Sequence, residues 1–176
     1  IELPDSLIEL GDYAFMDCTS LRNITIPVGV TSIGNRSFDG CTSLVAIALP
    51  DSLASIGFLA FYGCTSLVTV ALPDGLVSLG DAAFVDCSSL TSITLPSNLT
   101  VLPFGTFIRC YKLWLVFLPD GLISIGDMAF QDCIVLGRAG GTVTLPDSLT
   151  SIGDAAFKGC SMHLFSMTLP DSLTSI

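Results

Sequence analysis

Seven cysteines, one histidine and a surplus of aspartates are the residues of this sequence whose types suit chemistry. The cysteines stand at 18, 41, 64, 87, 110, 133 and 160, spaced by 23 residues except for a last interval of 27. Equal spacing puts one thiol at the same point of every unit, so the sulfurs form a column. A disulfide needs Cα atoms within about 7 Å and suitably directed Cβ atoms, and the direction of such a column is poor for it. The expected role of each cysteine is that of a small buried hydrophobe. A zinc site of the Cys-x-x-Cys kind is not expected, because no such pair occurs.

His163 lies in a one-residue insertion between Cys160 and Leu164, with no nucleophile or orienting acid at a useful spacing. The segment Gly137-Arg138-Ala139-Gly140-Gly141 lacks the Gly-Lys-Ser/Thr ending of a phosphate-binding loop. The aspartates form three columns. Asp5, Asp51, Asp74, Asp120, Asp147 and Asp171 follow Pro; Asp12, Asp81, Asp127 and Asp154 follow Gly; Asp17, Asp86 and Asp132 precede Cys. Stacked carboxylates are calcium-ligand material, yet one per unit falls short of the roughly six to eight oxygens that ion takes. Capping of each aspartate's own turn is the expected role. These residues assemble no catalytic, cofactor or metal site, and the expectation is a protein that is not an enzyme.

What must position them is an internal repeat. Phe15, Phe38, Phe61, Phe84, Phe107, Phe130 and Phe157 each stand three residues before a cysteine, and Pro4, Pro27, Pro50, Pro73, Pro96, Pro119, Pro146 and Pro170 keep the same beat. Four residues inserted within Gly137–Gly141 and one before Leu164 are the only breaks in the period. Residues 1–176 are therefore one array of about seven and a half units. Because the array starts and stops inside a unit without capping units, the expectation is a piece of a longer array. The alternative is end-to-end association of the open ends.

Counting from the Leu after each Cys (Leu21, Leu44 and so on), the apolar positions are 1, 4, 6, 10, 13, 17, 18 and 21. Alternation over positions 3–6, as in Ala46–Leu49, predicts a strand. Pro at position 7 ends it, and Asp-Ser or Asp-Gly makes a turn. Positions 10 and 13 bring the chain back inward, and Gly at 14 permits a tight corner. A stretch such as Gly80–Phe84 predicts one helical turn, with Asp81 as its N-cap. Only stacking on neighbours buries so many apolar side chains per unit.

The signature Leu-x-x-Ile-x-Leu-Pro, Ser-Ile-Gly, Ala-Phe and Cys-Thr-Ser-Leu, best copied in Leu145–Cys160 and Leu72–Leu90, resembles the BspA-like leucine-rich repeat, the 23-residue bacterial surface-antigen type. The resemblance covers the whole chain. It implies an α/β, β-rich solenoid: a right-handed, curved superhelix with parallel strands on one face and short helical turns or strands on the other. It also implies non-catalytic work, adhesion or protein–protein binding, often at a cell surface. Departures are Val28-Gly29-Val30 for Asp-Ser-Leu, Pro103 for the corner Gly, and Gly137–Gly141.

Charge and surface pattern narrow the partners. A formal charge of −10 and a pI near 4.1 exclude the basic patch that nucleic acid requires. Every apolar run is interrupted well before about 18 residues, so no membrane span is expected. Positions 2, 3 and 5 face outward on the strand face and are mostly small and polar, as in Thr91, Ser92 and Thr94. One unit carries Trp114, Leu115 and Phe117 there, an apolar spot that Phe165, Val68 and Val45 extend and that the inserted loop supplies with Arg138. Exposed aromatics beside Arg are the composition of interface anchors, so these seven residues are the expected docking site for a protein partner. The alternative is a structural spacer or peripheral subunit with distributed contacts. Asn23, Asn35 and Asn98 each begin an Asn-x-Ser/Thr sequon, which favours a secreted or cell-surface location.

Overall fold

Inward-facing Ile and Leu alternate with small polar residues twice in each unit, and most of these alternations become short strands. The structure, a computed structural model, describes residues 1–138, 143–161 and 168–176. Positions 12–13 form β1 (Glu9–Leu10), β3 (Ser32–Ile33), β5 (Ser55–Ile56), β7 (Ser78–Leu79), β9 (Val101–Leu102), β11 (Ser124–Ile125) and β12 (Ser151–Ile152). Positions 3–5 form β2 (Asn23–Thr25), β4 (Ala46–Ala48), β6 (Thr69–Val70), β8 (Ser92–Thr94) and β10 (Leu115–Phe117). All pairing is parallel and joins equivalent residues of successive coils: Ile24 to Ile47 to Val70 in the first sheet, Ile33 to Ile56 to Leu79 in the second. The chain is a parallel β-solenoid. The return stretch is itself a strand, so each of the five coils over residues 21–135 contributes to two sheets.

The helical turn does not form, and the α/β reading is corrected: among the described residues there is no helix. Positions 16 and 20 take left-handed backbone angles in coil after coil, as at Ala82 (φ 57°) and Asp86 (φ 59°). A right-handed helix excludes that region. The amides here donate along the solenoid instead of to their own i−4 carbonyls. Phe15 donates to the carbonyl of Ser37 (2.7 Å), Phe61 to Ala83 (2.8 Å) and Phe84 to Thr106 (2.9 Å). A helix of so few residues is marginal even where nothing competes. Asp81 is accordingly not an N-cap; its Oδ1 accepts from the Phe104 amide of the next coil at 3.2 Å. Asp12 and Asp127 likewise accept from the amides of Asn35 (2.6 Å) and Asp154 (2.8 Å). The aspartates after Gly staple neighbouring coils.

Between the sheets and this turn face lies a core of columns. The seven Phe rings stack face to face with centroid separations of 5.2–5.6 Å. Phe38, Phe61, Phe84, Phe107 and Phe130 are fully buried. Offset stacking at such distances is favourable beyond burial alone. Every coil closes its Pro turn with a backbone bond of the kind Leu53 to the carbonyl of Pro50 (3.1 Å). Ser52 at position 9 donates its hydroxyl to the carbonyls of Val28 and Val30 in the preceding coil, both at 2.7 Å.

Candidate functional site

The strand pleat of β10 turns Val116 into the core and Phe117 to solvent, with Leu115 half-buried on the same face as Phe117. Trp114 precedes the strand, outward and 41% exposed, while Phe117 is 53% exposed. The Trp114 amide donates to the carbonyl of Thr91 (3.0 Å), and its own carbonyl accepts from Gly137 (3.3 Å). Position 2 forms a continuous row of such bonds: Val45 to Arg22, Val68 to Val45, Thr91 to Val68 and Trp114 to Thr91. Val45 and Val68 are exposed on this row, separated from Trp114 by Thr91, whose hydroxyl also donates to the Val68 carbonyl (3.2 Å). Successive coils are about 4.8 Å apart, so the row carries its apolar side chains along one face. A cleft of about 180 Å³ flanks Phe117, lined by Leu115, Leu118, Asp120, Thr144 and Pro146.

Arg138 is exposed, and its Nη2 donates to Ser161 Oγ at 2.9 Å. Its guanidinium is thus engaged with the following coil. Among the described residues the cation–aromatic contact is that of Arg36 over the Phe58 ring, 5.8 Å from its centroid. Phe165 and His163 lie outside the described residues, as do Ala139 to Thr142 of the inserted loop.

The cysteines are all free, and each from Cys41 onward donates its Sγ–H to a Phe carbonyl of the preceding coil, Cys64 to Phe38 and Cys87 to Phe61 at 3.2 Å, for example. Burial pushes the Cys41 thiol up to about 11 and that of Cys160 up to about 12, and pushes Cys87, Cys110 and Cys133 well above the ordinary value of 9.0. Thiols so held are protonated at neutral pH and do not act as nucleophiles. Asp86 pairs with Arg109 through two hydrogen bonds of 2.5 and 2.6 Å and pushes the guanidinium pKa further up. Among the described residues, no group of three or more His, Cys, Asp or Glu side chains could hold a metal ion. No helix among them is long and apolar enough to cross a membrane.

A second exposed apolar group escapes the strand-face reading. Val77, Val101, Phe104 and Ile123 project from the second sheet and its corner. The signal was present in the sequence: Phe58 and Phe104 replace the Asp or Asn that other coils carry at position 15. An inward return at positions 10 and 13 gives no sign of the sheet that displays them.

A two-sheeted parallel solenoid with one buried Phe and one buried Cys per coil defines a repeat protein of the leucine-rich class. The model of the BspA type leucine rich repeat region matches residues 8–137 and 139–176 in six copies, and the chain belongs to this family. Three solved structures resemble it. A leucine-rich repeat protein of Treponema pallidum is 32% identical with a TM-score of 0.79, covering 97% of this chain and 78% of its own. One from Bacteroides ovatus is 32% identical with a TM-score of 0.71, over 96% of this chain and 48% of its own. A leucine-rich cell surface protein of Faecalibacterium prausnitzii is 29% identical with a TM-score of 0.64, over 99% and 52%. The chain spans about half the length of the latter two. Comparison with curated proteins gave no match.

Proposed function

We propose that the chain is a non-catalytic scaffold that docks a protein partner on its first sheet, around Trp114, Leu115 and Phe117, with Val45, Val68, Arg138 and Phe165 at the margins. The observation that carries this reading is the outward display of Trp114 and Phe117 at β10, whose neighbouring coils present Thr and Ser. The solenoid holds these side chains in place before docking, so little freedom is lost when they are covered. Likeness to a leucine-rich cell surface protein supports an adhesive role outside the cell.

Trp114→Ala should weaken binding of a partner selected with the intact chain by about 2 kcal/mol, roughly thirtyfold in Kd. Thermal stability should stay within about 0.5 kcal/mol of the parent, as for ordinary surface positions. An unchanged Kd rejects this site and favours a spacer with distributed contacts.

A further inference from the structure

Both sheets stop at the same place. β6 ends one ladder of the first sheet and β8 begins another; β7 ends one ladder of the second sheet and β9 begins another. These four strands belong to two neighbouring coils, 67–89 and 90–112. Two separate ladders therefore open at one junction.

On the second sheet the corner column supplies the cause. Gly34, Gly57, Gly80, Gly126 and Gly153 donate their amides to the carbonyls of Leu10, Ile33, Ile56, Leu102 and Ile125 at 2.7–2.8 Å. They also pass very close to the preceding corner. A Cβ on Gly57 would lie 2.7 Å from Asn35 N and Gly34 C, and one on Gly126 would lie 2.8 Å from Phe104 N and Pro103 C, inside the 3.0 Å that real Cβ atoms respect. Position 103 is proline, which has no N–H for the Leu79 carbonyl and adds a Cβ and a ring at the point of closest approach.

The neighbouring bonds are missing accordingly. Val77 and Ile123 donate backbone bonds to Ala54 (3.0 Å) and Thr100 (2.8 Å), but the equivalent bond from Thr100 to Val77 is not made. Ser37 Oγ reaches both its own corner carbonyl, Gly34, and that of Gly11 in the preceding coil. Thr106 Oγ1 reaches only its own, Pro103, at 2.8 Å. Clefts open on both sheets here, of about 440 Å³ between β7 and β9 and about 240 Å³ between β6 and β8.

The turn face stays closed. Ala82, Phe84 and Asp86 donate across the junction to Phe104, Thr106 and Ile108 at 2.8–2.9 Å, and Asp86 holds Arg109. The Phe84–Phe107 separation of 5.6 Å is the widest of the Phe column. On the first sheet, the Thr91 amide retains its bond to Val68 (3.1 Å).

We infer that the junction between coils 67–89 and 90–112 is a hinge with its axis along the turn face, created by Pro103, about which two solenoid blocks open and close. Nearest-neighbour coupling carries rigidity along a repeat array, and this coupling is weakened at one interface. The hinge stands independently of the docking reading, although Val45 and Val68 lie on one block and Trp114, Leu115 and Phe117 on the other.

The test uses the full chain. In hydrogen exchange, the Thr100 amide should exchange at least about tenfold faster than those of Val77 and Ile123. Spin labels on Ala54→Cys and Ile123→Cys, which straddle the junction, should give a distance distribution at least about twice as wide as labels on Ile8→Cys and Val77→Cys, which lie within one block. Pro103→Gly should slow Thr100 exchange and narrow the straddling distribution to the width of the other. Equal widths in the parent protein overturn the hinge, as does a width that Pro103→Gly leaves unchanged. Should Pro103→Gly not fold, Gly126→Pro must widen the distribution across its own junction, and failure to do so overturns the cause assigned to Pro103.

Discussion

The junction between coils 44–66 and 67–89 and the next one, between 67–89 and 90–112, share an interior and differ at the surface. Phe61 stacks on Phe84 at 5.2 Å and Phe84 on Phe107 at 5.6 Å; Cys87 donates to Phe61 at 3.2 Å and Cys110 to Phe84 at 3.1 Å. The first junction has both sheets paired, while the second has neither. Ladder bonds are therefore not what keeps these coils in register. At the second junction the Phe and Cys columns and the turn face do that, with the Thr91 bonds to Val68 and the Asn98 bond to Asp74. Sheet pairing adds stiffness where a corner glycine allows the coils to close.

That division of labour is broken most severely from inside. Phe61→Ala empties a site between two stacked rings where the side chain has no exposure. The loss should be about 3–5 kcal/mol, the range for a buried aromatic truncated to Ala, and comparable to the stability of a whole domain. Urea denaturation should show the midpoint falling. A loss below about 1 kcal/mol would place the stabilisation in the ladders instead.

The thiol column sharpens the comparison, because it crosses both junctions alike. Buried Cys41, Cys87, Cys110 and Cys133 have folded pKa values above the ordinary 9.0. The folded state thus keeps its protons where the unfolded chain loses them. Stability from this source is fully present below about pH 9, and declines as pH rises from there toward the folded values. Each raised thiol adds to the decline. Melting temperature should hold from pH 7 to about 8.5 and fall steadily by pH 10.5. Variants with Cys87→Ala and Cys110→Ala should show a shallower alkaline fall, from a lower starting stability.

Periodicity made the columns legible in the sequence. Phe and Cys at fixed spacing left no other arrangement than stacked coils, and Trp114, Leu115 and Phe117 stood out from Ser and Thr at the same positions. The turn face is not legible in this way: Gly80–Phe84 has the composition of a helix start, whereas its amides have better partners in the next coil than in its own. Left-handed backbone at non-glycine residues such as Ala82 and Met128 carries no composition signal. Pro103 was visible as a departure, but its consequence was not. The role of the corner glycine, a backbone approach too close for any Cβ, exists only between coils.

The smallest effect tests the turn face at the open junction. Arg109 and Asp86 span it with two hydrogen bonds, but both side chains are partly exposed, and an ion pair so placed is screened. Arg109 also sits in the left-handed region at φ 57°, where Gly40, Gly63 and Gly159 occupy the same position in other coils. Arg109→Ala removes the pair and keeps the unfavourable angle, and should lower stability by about 0.5–1 kcal/mol. Arg109→Gly removes the same pair but relieves roughly 1 kcal/mol of backbone cost, partly offset by the flexibility of Gly when unfolded. Its net change should lie within about 0.5 kcal/mol of zero. In 1 M salt the Arg109→Ala deficit should shrink further, since exposed charges lose most of their attraction there. An Arg109→Gly chain as destabilised as Arg109→Ala would show the pair, rather than the Phe and Cys columns, to be the element that closes this face.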